Sequence, residues 1–199
     1  MNERIGIRRL MTSLLVAMLG LALTVGVTGC AKNDEELIRA AVTQSMDLLK
    51  NPTEETLSTY IDESEIDMSS LEQYGVDPYE FLGHCFAKFD YTVDDVRIDG
   101  KDATASLTYT NVDLGAAAEA AAAEITSNLD DYADLLASEN AEQELMKAFM
   151  QKFYEKLDAT EETVDSQAEL TFTKDGDEWV VDNESISAMV EGMYGGVKI

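Results

Sequence analysis

Two stretches of this chain change from helical to alternating apolar spacing around an Asp-Gly pair: VRIDGKDATASLTYTN and ELTFTKDGDEWVVD. In the first, Ala103, Ala105, Leu107 and Tyr109 share one parity, while Thr104, Ser106, Thr108 and Thr110 share the other. A period of two with one apolar and one hydroxyl-bearing face predicts a strand buried on one side only, the habit of antiparallel sheets. Asp99-Gly100 and Asp175-Gly176 are strong hairpin signals, because glycine takes the positive φ such turns require. Just before the first turn, Tyr91 and Val93 share one parity and Val96 and Ile98 the other, which predicts a bulge near Asp94-Asp95. On the second hairpin, Val164, Ala168, Leu170 and Phe172 fall on one side.

The remaining chain carries helical periods. Ile38, Ala41, Val42 and Leu49 mark a first helix over about 34–49, opened by Asn33-x-x-Glu36 as a capping box. Asn51-Pro52-Thr53-Glu54 predicts a second start, with Asn51 as cap and Pro52 at the first helical position. The device recurs in Asp77-Pro78-Tyr79-Glu80, opening a helix to about residue 88. Between the hairpins lies a long helical insert, about 115–158. Its apolar stripes are Ile125, Leu129, Tyr132 and Leu136, then Leu145, Phe149, Phe153 and Leu157. A short helix over about 184–191 and a Gly-rich tail close the chain. The expected class is therefore α+β: N-terminal helices packed on a curved antiparallel sheet of two β-hairpins, with the helical insert between them. Residues 34–199 form one such domain in this reading, since no linker divides them.

The N-terminus is of another kind. MNERIGIRR carries Arg4, Arg8 and Arg9 and is followed by LMTSLLVAMLGLALTVGV. A basic start and a short apolar run ending in small residues are the marks of a secretory signal, with the basic flank kept in the cytoplasm. Two alternatives are an uncleaved membrane helix over 10–27 and an ordinary secretory signal that leaves Cys30 as an incidental thiol. Val27-Thr28-Gly29-Cys30 resembles the lipobox of bacterial lipoproteins. The resemblance implies signal peptide 1–29, cleavage by signal peptidase II between Gly29 and Cys30, and a thioether-linked diacylglycerol on Cys30. Membrane lipid then becomes a partner, through chains worth about 0.8 kcal/mol per buried CH₂. The tether over 30–33 is short, reaching about 10 Å, and should keep the domain close to the headgroups.

Charge narrows the partners further. The chain has 14 Lys+Arg and 40 Asp+Glu. Without Arg4, Arg8, Arg9 and Glu3 the mature part carries 11 − 39 = −28. Such a surface disfavours nucleic acid, whose counterions are displaced by Lys and Arg, and is repelled by anionic headgroups. Basic partners and loosely held cations suit it better. With Cys30 acylated, Cys85 has no internal disulfide partner, so the fold rests on packing.

The order of helices, hairpins, terminal Trp-Val-Val-Asp strand and short helix resembles the NTF2-like (cystatin-like) α+β fold. The resemblance rests on VRIDGKDATASLTYTNVD and ELTFTKDGDEWVVDN. It extends to uncharacterised lipoproteins of Gram-positive bacteria carrying that fold, and the insert departs from its minimal form. Together with the lipobox, the short tether and the lack of a catalytic set, it leads to the expectation of a non-catalytic ligand- or partner-binding domain of unknown specificity on the extracytoplasmic face of the cell membrane. The alternative it carries is a small pocket enzyme acting on an apolar or cyclic molecule, with Tyr91, Tyr109 and Asp113 lining a pocket between sheet and helices.

No residue set demands catalysis. His84 and Cys85 are adjacent, and neighbouring helical positions do not face one another. Cys85 falls on an apolar stripe with Phe81 and Phe89, and His84 on a wet stripe with Glu80 and Lys88. The expectation is an inert buried thiol and a surface histidine. Glu80 and His84 supply two ligands where zinc takes four, and neither Asp-Gly turn has the spacing of a calcium loop. No catalytic residue, metal or cofactor is assigned. Met146 and Met150, beside aromatics, are expected to fill the core.

Overall fold

A computed structural model describes residues 34–57 and 75–193. Among them, α1 (Asp34–Lys50) and α2 (Glu54–Leu57) precede α3 (Pro78–Phe86), β1 (Asp90–Asp99) and β2 (Asp102–Asn111). Next come α4 (Leu114–Ser127), a 3₁₀ turn (Leu129–Tyr132), α5 (Ala133–Leu136) and α6 (Ala141–Ala159). The chain continues through β3 (Val164–Asp175) and β4 (Glu178–Val181) to α7 (Asn183–Met193). The class is α+β, with a four-stranded antiparallel sheet in the order β1-β2-β3-β4. The Asn33 capping box and the Gly-rich tail lie outside the described residues.

Strand β2 is central, and its pleat sets the core. Ala103, Ala105, Leu107 and Tyr109 are buried on one face, while the hydroxyl-bearing residues between them are half-buried on the other. In the middle of β2 the inward residues meet apolar partners on both sides: Leu107 pairs with Val93 and Ala168, Ala105 with Val96 and Leu170. The register slips between Val93 and Asp95, so the parity change in the sequence is a bulge. Gly100 and Gly176 take φ values of 65° and 64° in their turns, a region that costs a side chain strain.

Helix α1 lies along β1 and runs against it. Arg39 Nη1 donates to the Val93 carbonyl at 2.8 Å, the Tyr91 hydroxyl donates to Asp47 Oδ1 at 2.7 Å, and Lys50 meets Asp90 at 2.8 Å. Ile38, Val42, Met46 and Leu49 form its buried stripe. A single cluster of buried residues joins this stripe to Phe81 and Phe86 of α3, Phe153 and Leu157 of α6, Leu170 and Phe172 of β3, and Ile186 and Val190 of α7. Burying each such side chain contributes about 1.5–3 kcal/mol.

Three local expectations change. The cap of α2 is Thr53, not Asn51: Thr53 Oγ1 accepts from Thr56 N at 3.2 Å, and Thr56 Oγ1 accepts from Thr53 N at 2.9 Å. This is a reciprocal capping box in which a second hydroxyl stands for the usual Glu. The stripe read through Ile125 and Leu129 is interrupted, because α4 stops at Ser127. Thr126, Ser127 and the Asn128 amide all bond back to carbonyls of the last turn, competing with helical continuation and leaving Leu129 48% exposed. Val164, assigned to the apolar side of β3, is 51% exposed, because the sheet's cover begins further along the strand.

The contrast along β3 gives a test. Leu170→Ala should lower stability by about 2–5 kcal/mol, and Val164→Ala should change it by less than about 0.5 kcal/mol. Urea unfolding followed by far-UV circular dichroism measures both.

Candidate functional site

The Pro78 helix brings His84 and Cys85 into opposite environments. Asp77 Oδ1 accepts from the backbone N–H of Tyr79 and of Glu80, and Pro78 occupies the first turn, so the helix starts where the sequence places it. It ends at Phe86, two residues early, as the Phe89 N–H bonds back to Phe86 O. Cys85 is buried on the face shared with Phe81 and Phe86, and burial pushes its thiol well above the ordinary range. The reactive form of cysteine is the thiolate, so this position disfavours nucleophilic chemistry.

His84 is not a free surface residue, which corrects the wet-stripe reading. Its Nδ1 lies 2.8 Å from Asp158 Oδ1 of α6, and its ring stacks on Tyr154 at 4.2 Å with planes 13° apart. Lys88, from the same stripe, donates to the carbonyls of Leu157, Asp158 and Thr160. A cation at those carbonyls neutralises the negative end of α6. Of the side chains read as a solvated face, Glu80 is exposed, and His84 and Lys88 form a seam between this helix and the helical insert. The Tyr154 hydroxyl is held above its usual range by burial and then by the Cys85 thiol and the Glu80 carboxylate, which favours its neutral form. His84 faces Asp158 and Tyr154 while Cys85 is buried in the core, so the two do not converge on a common point.

The tyrosines proposed for a pocket are also engaged. Tyr109 is buried, and its hydroxyl donates to Met189 O of α7 at 3.1 Å. Gly192 makes this approach feasible, since a Cβ there would collide with the Tyr109 hydroxyl. Tyr91, opposite Tyr109 on β1, packs at the edge of the core, and its hydroxyl donates to Thr43 O and Asp47 of α1. Burial, and then the Asp47 carboxylate, raise its ionisation above the usual range. Asp113 caps α4, accepting from Ala116 N at 2.9 Å. None of the three lines either of two hollows open to solvent: one of about 700 Å³ along α1, lined by Arg39, Thr43 and Asp47, and one of about 800 Å³ over the bulge, lined by Asp95, Thr108 and Glu169. Among the described residues no group of three or more His, Cys, Asp or Glu side chains is placed to hold a metal ion. Met150 is buried in the core and Met146 packs against it.

A feature that the sequence did not announce joins the first turn of α1 to the end of β3. Lys174 Nζ, at the end of β3, lies 2.7 Å from Asp34 Oδ2, the first described residue, and 5.2 Å from the centre of the Trp179 ring. The hydrogen bond from Lys174 holds the Asp34 carboxyl below the usual carboxylate range. The partners are 140 residues apart, and no spacing rule links them. The lipidation residue Cys30 and its recognition residues Val27, Thr28 and Gly29 lie outside the described residues. Compared with known proteins, this chain matches no family model, no curated protein and no solved structure.

Two outcomes follow. Cys85 should resist Ellman's reagent in the folded protein and react fully in urea, with a rate difference of at least about 100-fold. Because the Asp34 carboxyl is held low, its contribution to stability is complete above about pH 4 and is lost as pH falls through the lowered value. The urea midpoints of Lys174→Ala and the parent should therefore differ at pH 6 and converge toward pH 3.

Proposed function

We propose that this chain is a bacterial lipoprotein, anchored to the extracytoplasmic face of the cell membrane through acylated Cys30. Its domain, a variant of the NTF2-like fold, binds a protein or small-molecule ligand without catalysis. The observation that carries the reading is Val27-Thr28-Gly29-Cys30 at the end of a basic-then-apolar N-terminus. The chemistry fits: a thiol is a good nucleophile for acyl-glyceryl transfer, and Gly29 leaves room for a peptidase at the bond. Support comes also from the position of α1, which begins at Asp34, three residues beyond the linker's first residue, Ala31. A tether this short suits a domain held against headgroups and leaves no stalk to cross a thick layer.

The absence of catalysis is proposed from the use of the polar groups. His84, Tyr91, Tyr109 and Asp113, the candidates for acid–base work, are each occupied by a bond that fixes an element. A general acid or base has to stand within reach of a substrate proton, and these side chains instead hold α6, α1, α7 and α4. The enzyme alternative would need a pocket that reaches them.

Globomycin, which blocks signal peptidase II, is expected to make a precursor accumulate that retains residues 1–29. Mass spectrometry of the mature protein should then find Cys30 at the N-terminus carrying a diacylglycerol. Processing unaffected by globomycin, or an unmodified Cys30 thiol, would rule out the anchor.

A further inference from the structure

We propose that the end of the sheet carrying both Asp-Gly turns is the pole that faces the lipid surface, with the helical insert departing from the opposite end. The inference rests on the lipid-anchor reading and deepens it by naming the surface that meets the membrane.

The argument is one of lengths and of where the chain enters the fold. Between Cys30 and Asp34 stand Ala31, Lys32 and Asn33, which reach about 10 Å when fully extended. Asp34 is fixed at one end of the sheet by Lys174, whose backbone N–H donates to Lys101 O at 2.7 Å, so both turns lie beside it. From there α1 runs back along β1, meeting Val93 through Arg39, then Tyr91 through Asp47, and Asp90 through Lys50. The order of these contacts excludes the reverse placement of α1. At the far end Asn111 pairs with Val164, and there the chain leaves for α4 and returns from α6. From Asp102 to Asn111 the sheet is about 30 Å long at 3.3 Å per residue. A 10 Å linker attached at one end of a 30 Å sheet holds that end within reach of the headgroups and leaves the other end with no such tie.

The chemistry of the pole adds a signature. Asp99, Asp102, Asp175, Asp177 and Glu178 surround Lys101 there, and all are exposed. Facing zwitterionic lipid they are well hydrated. Facing anionic lipid they are repelled, with a range of about 10 Å at 0.1 M salt, comparable to the tether. The partner is a membrane surface, and its charge should set how closely the pole approaches.

The test uses the full-length acylated protein reconstituted in phosphatidylcholine vesicles that carry a headgroup nitroxide. Single fluorophores are placed by Asp177→Cys at the turn pole and Glu162→Cys at the far end, both exposed positions; Cys85 is buried and stays unlabelled. Quenching at position 177 should exceed that at 162 by at least threefold. It should fall when phosphatidylglycerol replaces some of the phosphatidylcholine, and recover when salt is raised to 0.5 M. Lys174→Ala, with Asp34→Asn as a second variant should the first unfold, is expected to bring the ratio toward one. Flotation is scored in the same samples. Protein that fails to float with vesicles defeats the anchor and the pole assignment together. Protein that floats with equal quenching at both positions, or with more at 162, defeats the pole assignment alone.

Discussion

A strand with one apolar face is stable only when that face is covered along its whole length, and β2 is covered from three sides at once. Its inward residues pair laterally with those of β1 and β3, and the buried cluster lays α1, α3, α6 and α7 over them. Because β2 and β3 are paired from Asp102–Thr173 to Asn111–Val164, the insert between them in sequence does not separate them in space. A register slip of one residue on β2 would turn Ala105, Leu107 and Tyr109 to water and Thr104, Ser106 and Thr108 inward. The alternation thus specifies the sheet, and the sheet specifies where each helix docks.

The second constraint is charge. A chain of net charge −26 repels itself on compaction, and the few cations sit where that repulsion would push neighbouring elements apart. Of nine Lys and Arg among the described residues, six join different elements: Arg39 and Lys50 tie α1 to β1, Lys88 ties α3 to α6, Lys152 and Lys156 meet Glu124 of α4, and Lys174 clamps α1. Exposed ion pairs of this kind are individually weak. Their placement matters more than their strength: Lys50, Lys152, Lys156 and Lys174 each meet an acid across a seam, while Arg39 and Lys88 bind backbone carbonyls there. Hydrogen bonds from Lys156 and Lys152 hold the Glu124 carboxyl below its usual range, the mark of a carboxylate between two cations.

How much of this was legible follows from the range of each interaction. The strand alternation, the bulge, the Asp77 cap and both glycine turns are written in windows of a few residues, and local sterics decide them. The end of α4 is also local, in Thr126-Ser127-Asn128, but apolar spacing continues past it and hides the competition from three polar side chains. His84 reads as a wet-stripe residue because a helix by itself has no neighbour; α6, arriving from 74 residues away, supplies Asp158 and Tyr154. Asp34 and Lys174 carry no pattern at all. In an acidic chain the signal for such contacts is the cation, since each lysine has so many acids to choose from that its position alone says little about its partner.

If the proposed anchor at Cys30 holds, the Lys174 clamp has a mechanical consequence as well. Force or thermal motion transmitted through the linker enters the domain at Asp34, the first turn of α1. Helix ends fray because their first backbone N–H groups lack intrahelical partners, so a free end would unwind and lengthen the tether by about 2 Å for each residue passing from helix to extended chain. A lysine that binds Asp34 and lies over Trp179, itself buried under the sheet, joins that weak end to the packed core. The bond is partly exposed and its own energy small. Its effect comes from position, because it shifts the load from one helical turn to the β3–β4 hairpin, whose register is held by four residue pairs. Under the proposed anchor, a short tether and a clamped first turn are therefore complementary, the one limiting reach and the other keeping that reach from growing.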